Sequence, residues 1–171
     1  AKEVVFIMDR FGYCKVMDKS LYERNIETVQ TEGTLTRSVM TDDRLCFFTD
    51  TGAMYQIKAS DIPTGKIKDK GIPIENISKF EGSKERILLV ETAMSLPSRR
   101  YLFATEQAMV KIVPGEEFIT ANRMVASTKL AEGDLLAFIT PLCEEKELVL
   151  QTRDSYFLRF SLEEIPVLKK N

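Results

Sequence analysis

The stretch Leu45–Pro63, LCFFTDTGAMYQIKASDIP, joins two dense apolar runs through a short polar turn and ends on an acidic-Ile-Pro tripeptide. In the first run Leu45 and Phe47 would face one side of a strand and Cys46 and Phe48 the other, because successive side chains of a strand alternate between faces. Both sides are apolar. Such a strand must be covered twice, as in a blade stacked between two neighbours or in the inner strand of a sandwich. Looser copies of the phrase begin at Val4 (VVFIMDRFGYCKV), Tyr101 (YLFATEQAMVKI) and Leu148 (LVLQTRDSYFLRF). Their small turn residues are Gly12, Gly52, Ala108 and Ser155, spaced by about 40 to 56 residues. A second marker, Glu-Gly, falls between them at Gly33, Gly82 and Gly133. A third closes two of the copies, with Pro63 and Pro166 each eleven residues past their turn residue and GEEF standing in the matching place between.

A period of this length made of short strands and turns is the signature of radial β architectures, one four-stranded blade per repeat. The expectation is therefore an all-β, propeller-like domain over residues 1–171 with three to four blades, in repeats of roughly 1–30, 31–75, 76–126 and 127–171, either a broken ring or an arc. Glycine in DRFG and TDTG suits a hairpin that needs positive φ. Ala108 and Ser155 in the same place should be strained by about 1 kcal/mol if the backbone is kept. GEEFITANRMVASTKLAEG, which could pass for a short helix, is assigned strand and loop by the repeat.

Composition narrows the function. With 171 residues, 44% hydrophobic and 29% charged, the chain is long enough for one globular domain with a core. No apolar run approaches the roughly 20 residues that span a bilayer, and no signal stretch opens the chain, so a cytoplasmic protein without membrane contact is expected. The start at Ala1 is read as that of an excised piece. Cys14, Cys46 and Cys143 are odd in number and lie in or beside apolar stretches, which fits buried thiols rather than disulfides or a metal site. Histidine is absent, removing the commonest general base and zinc ligand. Phosphate-loop, dinucleotide and metal-binding motifs are also missing. Acidic pairs such as Asp42-Asp43 read as loop solubilisers, and no catalytic residue, cofactor or metal is expected.

The repeated phrases, with KGIPIENI after the first and LQTRDSYFLRFSLEEIP at the last, resemble the C-terminal domain of the A subunit of bacterial type II topoisomerases, the DNA gyrase and topoisomerase IV group. The resemblance covers nearly the whole chain. It implies a β-pinwheel of hairpin-invaded four-stranded blades whose basic rim binds and bends duplex DNA. It also implies that the strand-cleaving tyrosine lies in a separate N-terminal region, so that this domain is not itself an enzyme. Its partners would be double-stranded DNA, the ATPase B subunit, and the N-terminal part of its own subunit, on the bacterial nucleoid. One departure stands out. Where gyrase carries a box resembling QRRGGKG, this chain has LYERNIETVQTEG (Leu21–Gly33), which moves the expectation toward the topoisomerase IV kind and toward weaker DNA binding. The nearest basic counterpart is TGKIKDKG (Thr64–Gly71).

Duplex binding needs cations along one surface, since counterion release supplies most sequence-independent affinity. Lys66, Lys68 and Lys70 stand at every second position and, if extended, would share one face. Lys15 and Lys111 follow their turn residues by three and should occupy equivalent rim positions. Lys58 and Arg159 come from the same post-turn strand in other registers, and Arg37, Arg123 and Lys129 lie in connecting segments. Against this stand 24 basic and 26 acidic residues and a pI near 5.4, together with the ordinary use of strand lysines as solvated edge protection. A propeller-type protein-interaction module with weak or no DNA binding is the alternative expectation.

Overall fold

The computed structural model describes residues 1–142, 147–151 and 157–171. Thirteen strands follow in chain order among the described residues: β1 (Glu3–Met8), β2 (Tyr13–Asp18), β3 (Leu35–Met40), β4 (Arg44–Thr49), β5 (Ala53–Lys58), β6 (Ile72–Pro73), β7 (Ile87–Thr92), β8 (Arg100–Thr105), β9 (Val110–Pro114), β10 (Met124–Ala126), β11 (Leu136–Leu142), β12 (Glu147–Gln151) and β13 (Phe157–Ser161). They form four antiparallel sheets, in the orders β3-β1-β2-β6, β10-β5-β4-β7, β11-β8-β9 and β12-β13. Each of the first three is built on one hairpin whose flanking strands come from the chain on either side of the next hairpin. Thus β3 enters and β6 follows β4-β5, while β7 enters and β10 follows β8-β9. The third sheet gains a further parallel bridge from Val167, beyond β13. Successive sheets are interleaved by construction.

The repeated phrase now has a physical reading. Leu45 and Phe47 pack with Val4, Phe6, Val16 and Val39 of the first sheet, whereas Cys46 and Phe48 pack with Tyr101, Phe103, Val113 and Leu136 of the third. The β4 strand is therefore the middle of a three-sheet stack, as its two apolar faces require. The Phe47 ring meets Phe6 edge-on at 5.6 Å. On the opposite face the Phe48 ring lies 5.0 Å from Phe118, 6.1 Å from Tyr101 and 6.3 Å from Phe103. A third cluster joins Leu102 and Ile112 to Leu162 and Ile165 on the far side of the third sheet. The closing tripeptides are junctions. After a 3-10 turn and a buried Ile62 or Ile165, the carbonyl of Pro63 accepts from Val16 N–H and that of Pro166 from Ile112 N–H, both at 2.9 Å, which docks the chain on the preceding sheet.

Two turn expectations are met. Gly52 has φ +81°, and Ala108 keeps the same left-handed conformation at φ +63° despite its Cβ. Ser155 lies outside the described residues. The segment from Gly115 is strand and loop, one 3-10 turn at Gly115–Phe118 followed by β10. Two short helices had no counterpart in the repeat pattern: α1 (Lys19–Arg24), which runs into the stretch that replaces the basic glycine-rich box, and α2 (Ile26–Val29), which lies within it. Their cause is the outward face of the first sheet. Val5, Ile7 and Met17 point away from the second sheet, and Leu21, Tyr22 and Val29, with Ile67, cover them. Among the described residues no helix is long and apolar enough to cross a membrane.

Cys14 and Cys46 are buried and unbonded, and burial pushes both thiols up to about 12; Cys143 lies outside the described residues. Since only the thiolate reacts, both should resist iodoacetamide at pH 8 in the folded chain and label in urea. Peptide mapping checks this, and equal labelling in the two conditions would contradict the packing described.

Candidate nucleic-acid interface

The segment Thr64–Gly71 is held against the first sheet by its backbone. Gly65 N–H donates to the Val16 carbonyl at 2.9 Å, and Thr64 bridges Val16 in parallel. From there the chain turns instead of extending: Asp69 N–H donates to the Lys66 carbonyl at 3.1 Å, and the Asp69 carboxylate accepts from Lys66 N–H at 2.8 Å. This corrects the expectation that Lys66, Lys68 and Lys70 share a strand face. All three are nonetheless exposed, while Ile67 between them is half-buried on the outer cluster of the first sheet. Lys70 Nζ lies 4.2 Å from the centre of the Tyr13 ring, a cation–π contact. The loop closes at Gly71, where φ is +83° and an added Cβ would stand 2.1 Å from the Cys14 carbonyl oxygen.

What organises this loop is Lys15, which is no rim cation. It is 7% exposed, and its ammonium donates to the carbonyls of Lys66 (2.6 Å), Asp69 (2.6 Å) and Ile67 (3.2 Å). An ammonium has three N–H donors, and all three are used. Burial pushes Lys15 below the ordinary lysine value, with Asp69 and then Asp9 acting the other way. Lys111 matches Lys15, as its spacing implied: it sits opposite Phe103 as Lys15 sits opposite Ile7. Its ammonium also turns to carbonyls, those of Lys170 at 3.1 Å and Lys169 at 3.5 Å, and burial lowers its pKa.

The remaining expected cations divide. Lys58 and Arg123, both exposed, line one concavity with Arg44, Asp61 and Ile77, and Arg123 is fixed there by donating to the Ile77 carbonyl at 2.9 Å. Lys129 is exposed on a groove with Lys111, Met109, Leu130 and Leu168. Arg159 falls in β13, opposite Val149. Arg37 serves the interior. Its guanidinium bonds the Glu91 carboxylate, whose side chain is 1% exposed and which also accepts from Arg99 at 3.0 Å and the Tyr101 hydroxyl at 2.8 Å. This cluster ties β3, β7 and β8 together and raises the Tyr101 pKa, first by burial and then by the Glu91 hydrogen bond. Sequence reasoning missed Arg44, which faces Lys58 across the β4-β5 hairpin. It also missed Lys169 and Lys170, which stand past Pro166 as Lys66 and Ile67 stand past Pro63; aligning the two tails would have found them.

Interleaved hairpin sheets and lysine-bearing loops on an ammonium support define a propeller-type domain with a cationic surface device. A family model described as "DNA gyrase C-terminal domain, beta-propeller" matches residues 43–77, 100–143 and 146–171. The chain belongs to that family. The A subunit of DNA gyrase from Streptococcus pyogenes serotype M3 is 32% identical over 127 residues, 72% of this chain and 15% of that protein. The A subunit of DNA gyrase from Lawsonia intracellularis is 26% identical over 175 residues, 95% of this chain and 21% of that protein. The chain thus spans a small part of these relatives' length. Among solved structures, the C-terminal domain of DNA topoisomerase IV superposes with a TM-score of 0.85 at 20% identity, covering 99% of this chain and 55% of that one. The E. coli ParC C-terminal domain gives 0.76 at 14% identity, covering 99% and 69%. These two likenesses are of fold, while the sequence relatives carry the gyrase name.

Removing both guanidiniums that serve Glu91 would leave a buried carboxylate uncompensated. The double variant Arg37→Ala/Arg99→Ala should lose about 3 to 5 kcal/mol of stability by urea unfolding. A loss below about 1 kcal/mol would show that Glu91 is not a junction between sheets.

Proposed function

We propose that this chain is a non-catalytic DNA-binding and DNA-bending domain of a type II topoisomerase A subunit, guiding a DNA segment to the cleavage core during ATP-dependent topology change. In this reading its partners are arbitrary duplex DNA, the ATPase B subunit, and the N-terminal part of its own subunit. The observation that carries the proposal is the Gly65–Gly71 loop. It presents three exposed ammoniums against one carboxylate that is itself engaged by Lys66 N–H, and among the described residues none of the three is in an ion pair. The membership of the gyrase C-terminal domain family supports the same reading. The overall charge of −2 does not oppose it, because several other surface lysines are neutralised locally: Lys2 by Asp18, Lys19 by Glu3 and Lys84 by Glu81.

Magnitudes set what the surface must do. Bending a 20 to 30 base-pair site by 40 to 90° costs of order 1 to 6 kcal/mol, so several phosphate contacts spread over a curved surface have to offset it. Candidates beyond the loop are the Arg44, Lys58 and Arg123 concavity and the Lys169–Lys170 tail with Lys129. Phosphate contacts carry no base information, so binding is sequence-independent and weakens as salt rises.

Each neutralised phosphate adds about 0.9 to the magnitude of the slope of log affinity against log salt. Reversing Lys66, Lys68 and Lys70 together to Glu should therefore weaken duplex binding and reduce that slope by about 2.7. Fluorescence anisotropy with an arbitrary duplex across a salt series reads both; unchanged affinity and slope would reject the proposal.

A further inference from the structure

We infer that Lys15, which is buried, and Lys111, which is half-buried, are positioning residues, each a cation whose ammonium turns to backbone carbonyls and shapes a lysine-bearing loop for contact with a phosphate backbone. The inference rests on the reading of the Gly65–Gly71 loop as a DNA-contacting element and adds the part that makes the loop competent.

A lysine ammonium is normally strongly hydrated, and burying it without a partner is costly. At Lys15 the water is replaced by three carbonyl oxygens of one short segment, two of them at 2.6 Å. Tying three carbonyls to one inner point curls the segment around that point. Lys66, Lys68 and Lys70 are left outside, with Ile67 turned toward the sheet. Dipoles rather than a counter-ion hold the charge, since no carboxylate forms an ion pair with Lys15 among the described residues. Its charge stands just beneath the exposed ammoniums, with the Asp69 and Asp9 carboxylates acting on it from nearby without forming an ion pair. Both bounding glycines keep room for the arrangement. An added Cβ at Gly65 would stand 3.0 Å from Lys15 Cδ, and one at Gly71 would collide with the backbone of Cys14.

The arrangement occurs twice. Val16 bridges Thr64 and Ile112 bridges Val167 in the same parallel sense, and the residues that follow supply carbonyls to Lys15 in one case and to Lys111 in the other. Lysines ride on both tails: Lys66, Lys68 and Lys70 on the first, Lys169 and Lys170 on the second. The second sheet is the internal control. There the position three past the turn is Tyr55, which donates to Glu85, and the segment Ile119–Arg123 that returns to β5 carries Arg123 but no lysine, its Thr120 and Asn122 carbonyls accepting from the neutral Gln56 amide instead. Among the described residues, a lysine three past the turn and a lysine-bearing tail occur together in the first and third sheets, and neither occurs in the second.

The test compares Lys15→Met with the unaltered 171-residue chain in three measurements: the urea midpoint, tryptic cleavage after Lys66, Lys68 and Lys70 followed by mass spectrometry, and duplex affinity across a salt series. Methionine keeps much of the stem and removes the donors. The expected result is a chain that still folds, is cut faster within the loop, binds duplex roughly tenfold or more weakly, and shows a salt slope reduced by about 2. Unchanged cleavage and affinity would overturn the inference. Faster cleavage with unchanged affinity would also overturn it, because the clamp would then shape a loop that DNA does not use. The triple reversal to Glu identifies the fault. If it abolishes binding while Lys15→Met does not, the loop reading survives and only the positioning role falls. Should Lys15→Met fail to fold, Lys111→Met in the same salt titration decides, and an unchanged slope overturns the inference there.

Discussion

Strands with two apolar faces cannot lie at a surface, and from that constraint the architecture follows. The residues Leu45, Cys46, Phe47 and Phe48 alternate between two clusters that share no face, so a sheet has to stand on each side of β4. Fully burying a phenylalanine contributes about 1.5 to 3 kcal/mol relative to leaving it exposed, so Phe47 and Phe48 alone bind their neighbouring sheets with a substantial fraction of a domain's net stability. The interleaving of strands answers the companion problem of sheet edges. A hairpin left alone exposes unpaired N–H and C=O groups on both sides. Here each of the first three hairpins is edged by chain that belongs to the next, so neighbouring units are joined by hydrogen bonds as well as by side-chain packing. The helices α1 and α2, with Ile67, cover the face of the first sheet turned away from the second.

Charge inside this stack is handled in two contrasting ways. Glu91, on the second sheet, is buried among ionic and hydroxyl donors from the first and third sheets, and its negative charge is cancelled where it stands. Lys15 is buried among carbonyls of a single loop, which solvate its ammonium directly, while Asp69 and Asp9 act on it without an ion pair. The first arrangement fastens sheets to one another. The second holds a surface loop in shape. A chain of formal charge −2 can in this way maintain a local concentration of cations, since its charges are sorted by place rather than by number.

The fold was largely legible because its determinants are periodic. Two-sided apolar runs, small turn residues and closing Ile-Pro steps recur along the chain, and even the left-handed Ala108 could be inferred from its alignment with Gly52. The helical cap was not legible. Its residues Leu21, Tyr22 and Val29 follow no repeat, because among the described residues no other sheet carries α-helices on its face. The cations Lys15 and Lys111 were read as equivalent positions, which their strand pairing bears out, and as rim cations, whereas both ammoniums turn to backbone carbonyls. Spacing placed them at equivalent sites, but whether a long side chain reaches out to solvent or back to a carbonyl depends on a loop some fifty residues away, which no local pattern records. Arg37 was misread for the same reason, since its partner Glu91 arrives from another sheet. Lys66, Lys68 and Lys70 were chosen for alternation in a strand and are exposed because a turn displays them.

In the proposed role the lysines divide into those that meet phosphate and those that do not, and amine footprinting measures that division directly. Reductive methylation of the chain, with and without an arbitrary duplex, should show protection by DNA at Lys66, Lys68 and Lys70 and none at the ion-paired Lys2, Lys19 and Lys84. Equal labelling of the loop lysines in both conditions, or protection concentrated at the paired ones, would contradict it.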